Sequence, residues 1–178
     1  DSFGLRVGFS DEREQLLETG GGIKKAVSLL KEQMAEDFSF LVHNVDILSN
    51  VNLSEFYRLG TGRAALLLVS ERETQRYLLF NEENRLVGWT NMKTGEVKSP
   101  YPDLDLNACK KLAFAGVHMF SSRLFPYFSQ WGDKFSIIDF YLSVCDKEPI
   151  YGCPYPDLRL MDVGKLDSLE KAEFFLSE

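Results

Sequence analysis

The chain is poor in cysteine and in histidine. Its three cysteines, Cys109, Cys145 and Cys153, show no C-x-x-C spacing. That pattern argues against a zinc site and against a disulfide framework. A reducing, cytoplasmic setting is expected. No apolar run approaches the ~20 residues that cross a bilayer, so no membrane association is expected. The first ten residues lack the basic start and apolar core of a secretory signal. Cations are also in deficit. Twenty Lys and Arg against 27 Asp and Glu leave a formal charge of −7. Nonspecific nucleic-acid binding is therefore not expected. An acidic chain can still hold a phosphorylated ligand if a divalent metal or a few local cations offset the charge. There is no internal repeat and no low-complexity segment.

What remains reads as one α/β domain over residues 1–178, long enough to bury a core. Phe3, Leu5, Val7 and Phe9 alternate, as a half-buried strand does. Ile23, Ala26, Val27, Leu30 and Met34 form a helical stripe. Phe38 to Val42 is an apolar run broken only by Ser39, the pattern of a central strand covered on both faces. Asn52 and Glu55 mark a helix start. Ala64 to Val69 is a buried strand. Tyr77 to Phe80 and Leu86 to Trp89, joined by Asn81 to Asn84, predict a hairpin. Ser99 to Asp105 is irregular. Lys111 to Phe120 is a strand interrupted by Gly116, and an interior glycine often marks a close backbone approach. Ser121 or Ser122 caps a short helix. Ser136 and Asp139 resemble a capping box. Ile150 to Cys153 and Leu158 to Met161 are short strands, and Asp167 with Glu170 opens a last helix. Strands and helices alternate in the first seventy residues, which predicts a mixed, mostly parallel sheet flanked by helices, with a small appended sheet.

Three features can carry chemistry. Gly20, Gly21 and Gly22 follow Glu18 and Thr19 at the start of a helix. Each glycine costs about 1 kcal/mol in a helix interior, so the run has another reason. It permits close approach to the main chain, and helix N-terminal N–H groups attract anionic acceptors. A plain flexible loop is the alternative. Glu18 can accept from ribose or sugar hydroxyls, or sit at the helix dipole. Asp46 ends the apolar run, and ligands of open α/β sheets bind at strand carboxyl ends. A cap or turn is its alternative role. Asn44 points to the same side. His43 points to the other face, as a packed core histidine. Asp162 ends a late strand before Val163 and Gly164. Magnesium takes one or two carboxylates plus ligand phosphates, and Asp46 with Asp162 meets that requirement.

These segments occur in a telling order: Leu17-Glu18-Thr19-Gly20-Gly21-Gly22-Ile23, Val42-His43-Asn44-Val45-Asp46-Ile47-Leu48, Phe114-Ala115-Gly116-Val117-His118, Phe135-Ser136-Ile137-Ile138-Asp139 and Met161-Asp162-Val163-Gly164-Lys165. The series resembles the sugar-1-phosphate nucleotidyltransferases, in particular those that activate mannose 1-phosphate or N-acetylmuramate 1-phosphate. The resemblance implies a Rossmann-like nucleotide-diphospho-sugar transferase fold. It implies in-line attack of a sugar 1-phosphate on a nucleoside triphosphate, with pyrophosphate leaving. It implies Mg²⁺ on Asp46 and Asp162, which would be the catalytic pair. The nucleotide would lie against Glu18, Thr19, Gly20, Gly21, Gly22 and Asn44. The sugar would lie against Ala115 and Gly116, near Asp139. Val45 stands where the family more often has Gly, which alters the room beside the nucleotide.

The family also opens with a GxGTRLxPxT loop and a PKP segment that grip the triphosphate. Neither occurs among these residues. The resemblance implies on the order of 60 further residues before Phe3, at ~30 per strand–helix unit. The chain begins at Asp1, as a piece of a longer protein does. On its own it is expected to be inactive, and an uncovered sheet edge is expected to pair with a second copy. Two other readings use the same residues. A nucleotide-sugar glycosyltransferase would show Asp-x-Asp, and this chain has Asn44-Val45-Asp46. A non-catalytic binding module would keep the fold alone.

Overall fold

Five residues in a row, Ala65 to Val69, are buried to the last atom or nearly so. A strand sends neighbours to opposite faces, so this run needs cover on both sides. Ala65, Leu67 and Val69 join a core with Ile23, Phe120, Leu124, Phe128, Phe140 and Tyr141. Leu66 and Leu68 join a second core with Phe56, Ala115, Val117 and Met119. The result is a sheet between two helical layers. The computed structural model describes residues 4–31, 37–155, 157–164, 172, 173 and 175.

The helices are α1 (Glu18–Lys31), α2 (Leu53–Gly60) and α3 (Ile137–Val144), with a 3-10 helix at Ser122–Gln130. The strands are β1 (Ser39–His43), β2 (Ile47–Ser49), β3 (Ala65–Ser70), β4 (Arg76–Phe80), β5 (Leu86–Asn91), β6 (Val97–Lys98), β7 (Lys110–Ser121), β8 (Ile150–Pro154) and β9 (Leu160–Asp162). The main sheet runs β6-β5-β4-β7-β3-β8, with β1 also on β7. β2 and β9 make a separate two-stranded sheet. The sheet is mixed, as predicted, but its balance differs. Among the described strands, parallel pairing is confined to β3 with β8.

Several local signals act as predicted. Asn52 caps α2 by accepting from Glu55 N–H at 3.0 Å. The β4–β5 hairpin forms around Asn81 to Asn84. Ser121 caps the 3-10 helix and Ser136 caps α3. Phe120 stacks on Phe128 and Phe140, which ties β7 to the 3-10 helix and α3.

Others do not. Val7 and Phe9 lie in no strand, Leu5 makes no more than an isolated bridge, and all three are exposed. Phe3 and Met34 lie outside the described residues. β1 is not a central strand. Among the described residues it pairs on one side only, with β7, and it is half-buried. His43 is exposed rather than in the core, and its Nδ1 lies 2.7 Å from the carbonyl of Asn44. Asp139 does not complete a capping box, because its carboxylate accepts from Lys98 Nζ at 2.9 Å instead. The start of the last helix, with Asp167, Leu169 and Glu170, lies outside the described residues. Ala172, Glu173 and Phe175 are helical.

A candidate nucleotide and metal site at one end of the sheet

Strand direction gathers the site. β1 and β3 both run antiparallel to β7, and β8 runs parallel to β3. Their carboxyl ends therefore reach the same end of the sheet. Asn44 follows β1 there, Arg72 follows β3 and Tyr155 follows β8.

β7 makes room at that end. Between the pairs Leu67–His118 and Val69–Phe114 the register shifts, so β7 carries two extra residues around Gly116. Gly116 has φ +75°. A side chain on it would meet Asn44 Nδ2 at 3.1 Å and Ile47 Cγ1 at 3.2 Å. Only glycine combines that angle with that approach. Its carbonyl accepts from Asn44 N–H at 2.9 Å, which fixes the turn leading to Asp46.

That turn delivers a carboxylate pair. Val45 and Asp46 occupy its tip, and Val45 is 96% exposed. Ile47 then pairs with Asp162 across β2 and β9. Val163 N–H donates to the Asp46 carbonyl at 2.8 Å. Gly164 N–H donates to Asp162 Oδ1 at 2.9 Å. A methyl group on Gly164 would sit 3.1 Å from Asp162 Oδ1 and 3.3 Å from Asp46 Oδ2. The two carboxylates thus converge on one small space. Neither has a Lys or Arg ion pair among the described residues. Two adjacent, unpaired anions repel, and a cation relieves that. No third His, Cys, Asp or Glu joins them among the described residues. Two carboxylates with room for ligand oxygens and water fit magnesium, which keeps much of its hydration.

The glycine run has a packing reason. A side chain on Gly20 would strike the Phe135 ring at 2.5 Å, and one on Gly21 would overlap the carbonyl of Asp133. The N–H groups of Gly20 and Gly21 both donate to the Phe135 carbonyl. So α1 is pressed against residues 133–135, and those two glycines turn away from solvent. A side chain on Gly22 would meet the Glu12 carboxylate at 2.7 Å. Gly22 lines, with Glu18, Thr19, Asn44 and Lys134, an open groove of about 840 Å³ between α1 and β1.

Glu18 is unusual. It is a non-glycine residue at φ +61°. Such angles cost about 1–3 kcal/mol and persist where the surroundings hold them. It lines both the α1–β1 groove and a second cavity of about 600 Å³. Phe114, Ser136 and Asp139 line that cavity too, beside Arg72, Arg76, Trp89, Glu96 and Lys98. The hydrogen bond to Asp139 holds the Lys98 ammonium above the usual lysine range. Ala115 is buried on the α2 side, so only its backbone could face a ligand.

The span Tyr77 to Trp89, expected to bear on specificity, supplies Leu78 and Trp89 to this cavity. Sequence reasoning missed Arg72, Arg76 and Lys98, which come from β3's exit, β4 and β6, and no linear motif joins them. Below the site, His118 is fully buried, with Nδ1 2.6 Å from the Tyr141 hydroxyl and Nε2 without a partner among the described residues. Burial lowers its pKa to about 3.

The fold is that of known enzymes. HddC from Yersinia pseudotuberculosis, solved as a complex with GMP-PN, superposes with a TM-score of 0.61 at 19% identity, over 90% of this chain and 64% of that one. The inositol-1-phosphate CTP transferase from T. maritima superposes with a TM-score of 0.62 at 12% identity, over 90% of this chain and 61% of that one. The chain thus spans less than two thirds of the length of either neighbour. No family model matches the chain, and no curated protein matches it.

Proposed function

We propose that the chain belongs to a nucleotidyltransferase that joins a nucleoside triphosphate to a sugar 1-phosphate, releasing pyrophosphate. The observation that carries this reading is the convergence of Asp46 and Asp162 beside Gly164, at the sheet end flanked by the α1–β1 groove. The fold neighbours support it, since one is named for CTP transfer to inositol 1-phosphate and another holds GMP-PN.

Asp46 and Asp162 would hold a magnesium ion, which supplies charge neutralisation for the phosphates and positions them. The nucleoside lies in the groove lined by Glu18, Thr19, Gly22 and Asn44. Glu18 accepts from hydroxyls, and Asn44 offers its side-chain amide. Gly20 and Gly21 act at one remove, by seating α1 so that Glu18 and Thr19 face the groove. The sugar lies in the cavity of Phe114 and Asp139, next to the Gly116 backbone. The attacking oxygen belongs to the sugar phosphate and the leaving group is pyrophosphate, so the protein's task is alignment and charge. The edge of β1 that is unpaired among the described residues, with the exposed Leu5, Val7 and Phe9, supports pairing with a second copy.

The test is pyrophosphate release by the whole protein with Mg²⁺, across nucleoside triphosphates and sugar 1-phosphates. Turnover that needs both substrates is the expected result. Release of free nucleoside diphosphate from a nucleotide sugar would instead support glycosyl transfer.

A further inference from the structure

The α1–β1 groove and the cavity of Phe114 and Asp139 meet at one residue. Among the described residues Glu18 alone lines both. Backbone bonds hold it at that boundary. The Leu17 carbonyl accepts from Phe135 N–H at 3.2 Å. The Gly20 and Gly21 N–H groups donate to the Phe135 carbonyl at 3.1 and 3.3 Å. Leu17 N–H also donates to Glu12 Oε2 at 2.9 Å. Glu18 is clamped from both sides, at a φ of +61° that an L-residue keeps only when its surroundings impose it. Phe135 leads directly into Ser136, the cap of α3, and on to Ile138 and Asp139 of the cavity wall. One main-chain junction therefore fixes the Glu18 backbone against both spaces.

The side chain, by contrast, is free. It is exposed, and among the described residues its carboxylate makes no ion pair and no hydrogen bond. The carboxylates on either side are engaged. Glu12 accepts from Leu17 N–H, and Asp139 accepts from Lys98 Nζ at 2.9 Å. Glu18 thus offers two oxygens that can each accept from a hydroxyl. An unheld glutamate has rotamer freedom to lose when it makes such bonds. The first ligand to engage it orders the side chain, and a second ligand then meets an acceptor already in place. That is positive coupling without any movement of the fold.

We propose that Glu18 couples the two substrates. One carboxylate oxygen accepts from a hydroxyl of the nucleoside in the groove, the other from a hydroxyl of the sugar 1-phosphate in the cavity, and each ligand tightens the binding of the other. The assignment rests on the nucleotidyl-transfer reading for the identity of the two ligands.

Calorimetric titration of the whole protein with Mg²⁺ tests it. The probes are the α,β-methylene analogues of GTP, CTP and UTP, which cannot release pyrophosphate, with mannose 1-phosphate and N-acetylmuramate 1-phosphate. At least one analogue should bind about fivefold or more tightly when a sugar phosphate saturates the protein, and the sugar phosphate should gain by the same factor in the reverse titration. In Glu18→Ala each probe alone binds more weakly, and the coupling factor should fall below about twofold. Glu18→Gly relaxes the backbone angle, so it should melt no lower than the parent protein and lose the coupling equally. Independent binding of the two ligands in the parent protein, or coupling that survives in both variants, overturns the assignment. If pyrophosphate release by the whole protein persists in that case, only the coupling role falls. Failure of every pair to bind, with no pyrophosphate release, overturns both readings together.

Discussion

Ile47 stands opposite Asp162 in the short β2–β9 ladder. That pairing brings the Asp46 turn to the end of a strand more than a hundred residues later in the chain. The backbone bond from Val163 to Asp46 locks the same register. The two carboxylates meet because a three-residue ladder has one alignment in which Gly164 lies between them.

Asp46→Asn and Asp162→Asn should each lower pyrophosphate release by about a hundredfold or more, since loss of metal-supplied stabilisation is worth several kcal/mol. Mn²⁺ binding followed by electron paramagnetic resonance should weaken in parallel. Both residues are exposed, so stability should change by less than about 0.5 kcal/mol. Unaltered Mn²⁺ affinity in both variants would remove the metal assignment.

Gly21→Ala sets two effects against each other. Helix propensity favours alanine by about 1 kcal/mol. Collision with the Asp133 backbone disfavours it, by about 1–3 kcal/mol for overpacking. Backbone cannot swing aside as a side-chain tip can, so a net loss of stability is expected in urea unfolding. Gly22→Ala meets only the Glu12 carboxylate and should be close to neutral. A stabilised Gly21→Ala variant would mean that α1 is not seated on residues 133–135.

Much of this was legible in the sequence. The buried run of β3, the Asn52 cap, the β4–β5 hairpin and the interrupted β7 all follow from short-range chemistry. Asp46 and Asp162 could be singled out by residue type and expected strand-end position, and the structure brings their carboxylates together beside Gly164. What escaped is non-local. An apolar run cannot say whether it lies inside a sheet or at its edge, and among the described residues β1 pairs on one side only. That Gly20 and Gly21 seat α1 could not be read locally, because their partners at 133–135 are over a hundred residues away. The arginines of the cavity belong to no motif, since sheet order alone brings them together.

His118 predicts an acid-side weakness. Its folded pKa, about 3, lies below the ordinary 6.5. The unfolded chain therefore takes up the proton first. Above pH 6.5 the residue adds no pH dependence. Below it, stability should fall by about 1.4 kcal/mol per pH unit until the folded histidine also titrates near pH 3. The double variant His118→Phe with Tyr141→Phe removes both ends of the buried pair. Its denaturation midpoint should vary less between pH 6.5 and 4.5 than that of the parent protein.

Gly116→Ala should cost about 1–2 kcal/mol, because an L-residue resists that backbone angle. Its methyl group would also push on Asn44 and Ile47. Nucleotide affinity should fall along with stability. A variant of unchanged stability would show that the β7 bulge relaxes freely.

Cys145 is buried, and burial pushes its thiol up to about 12. Cys109 and Cys153 are partly exposed. Iodoacetamide under native conditions should modify those two first, with Cys145 reacting only once the protein unfolds. Peptide mapping by mass spectrometry reads this directly.

β7 has a consequence for how the protein is made. It pairs with β1, β3 and β4, all of which precede it in the chain. Ribosomal synthesis therefore releases the apolar run Ala65 to Val69 of β3 well before its partner exists. Until residue 121 emerges, that strand has no antiparallel edge to join, and β8, its other neighbour, arrives later still. Pairings between such distant segments also slow folding, toward milliseconds to seconds. Over that interval the apolar face of β3 is open to other chains, so aggregation competes with folding during synthesis more than after it.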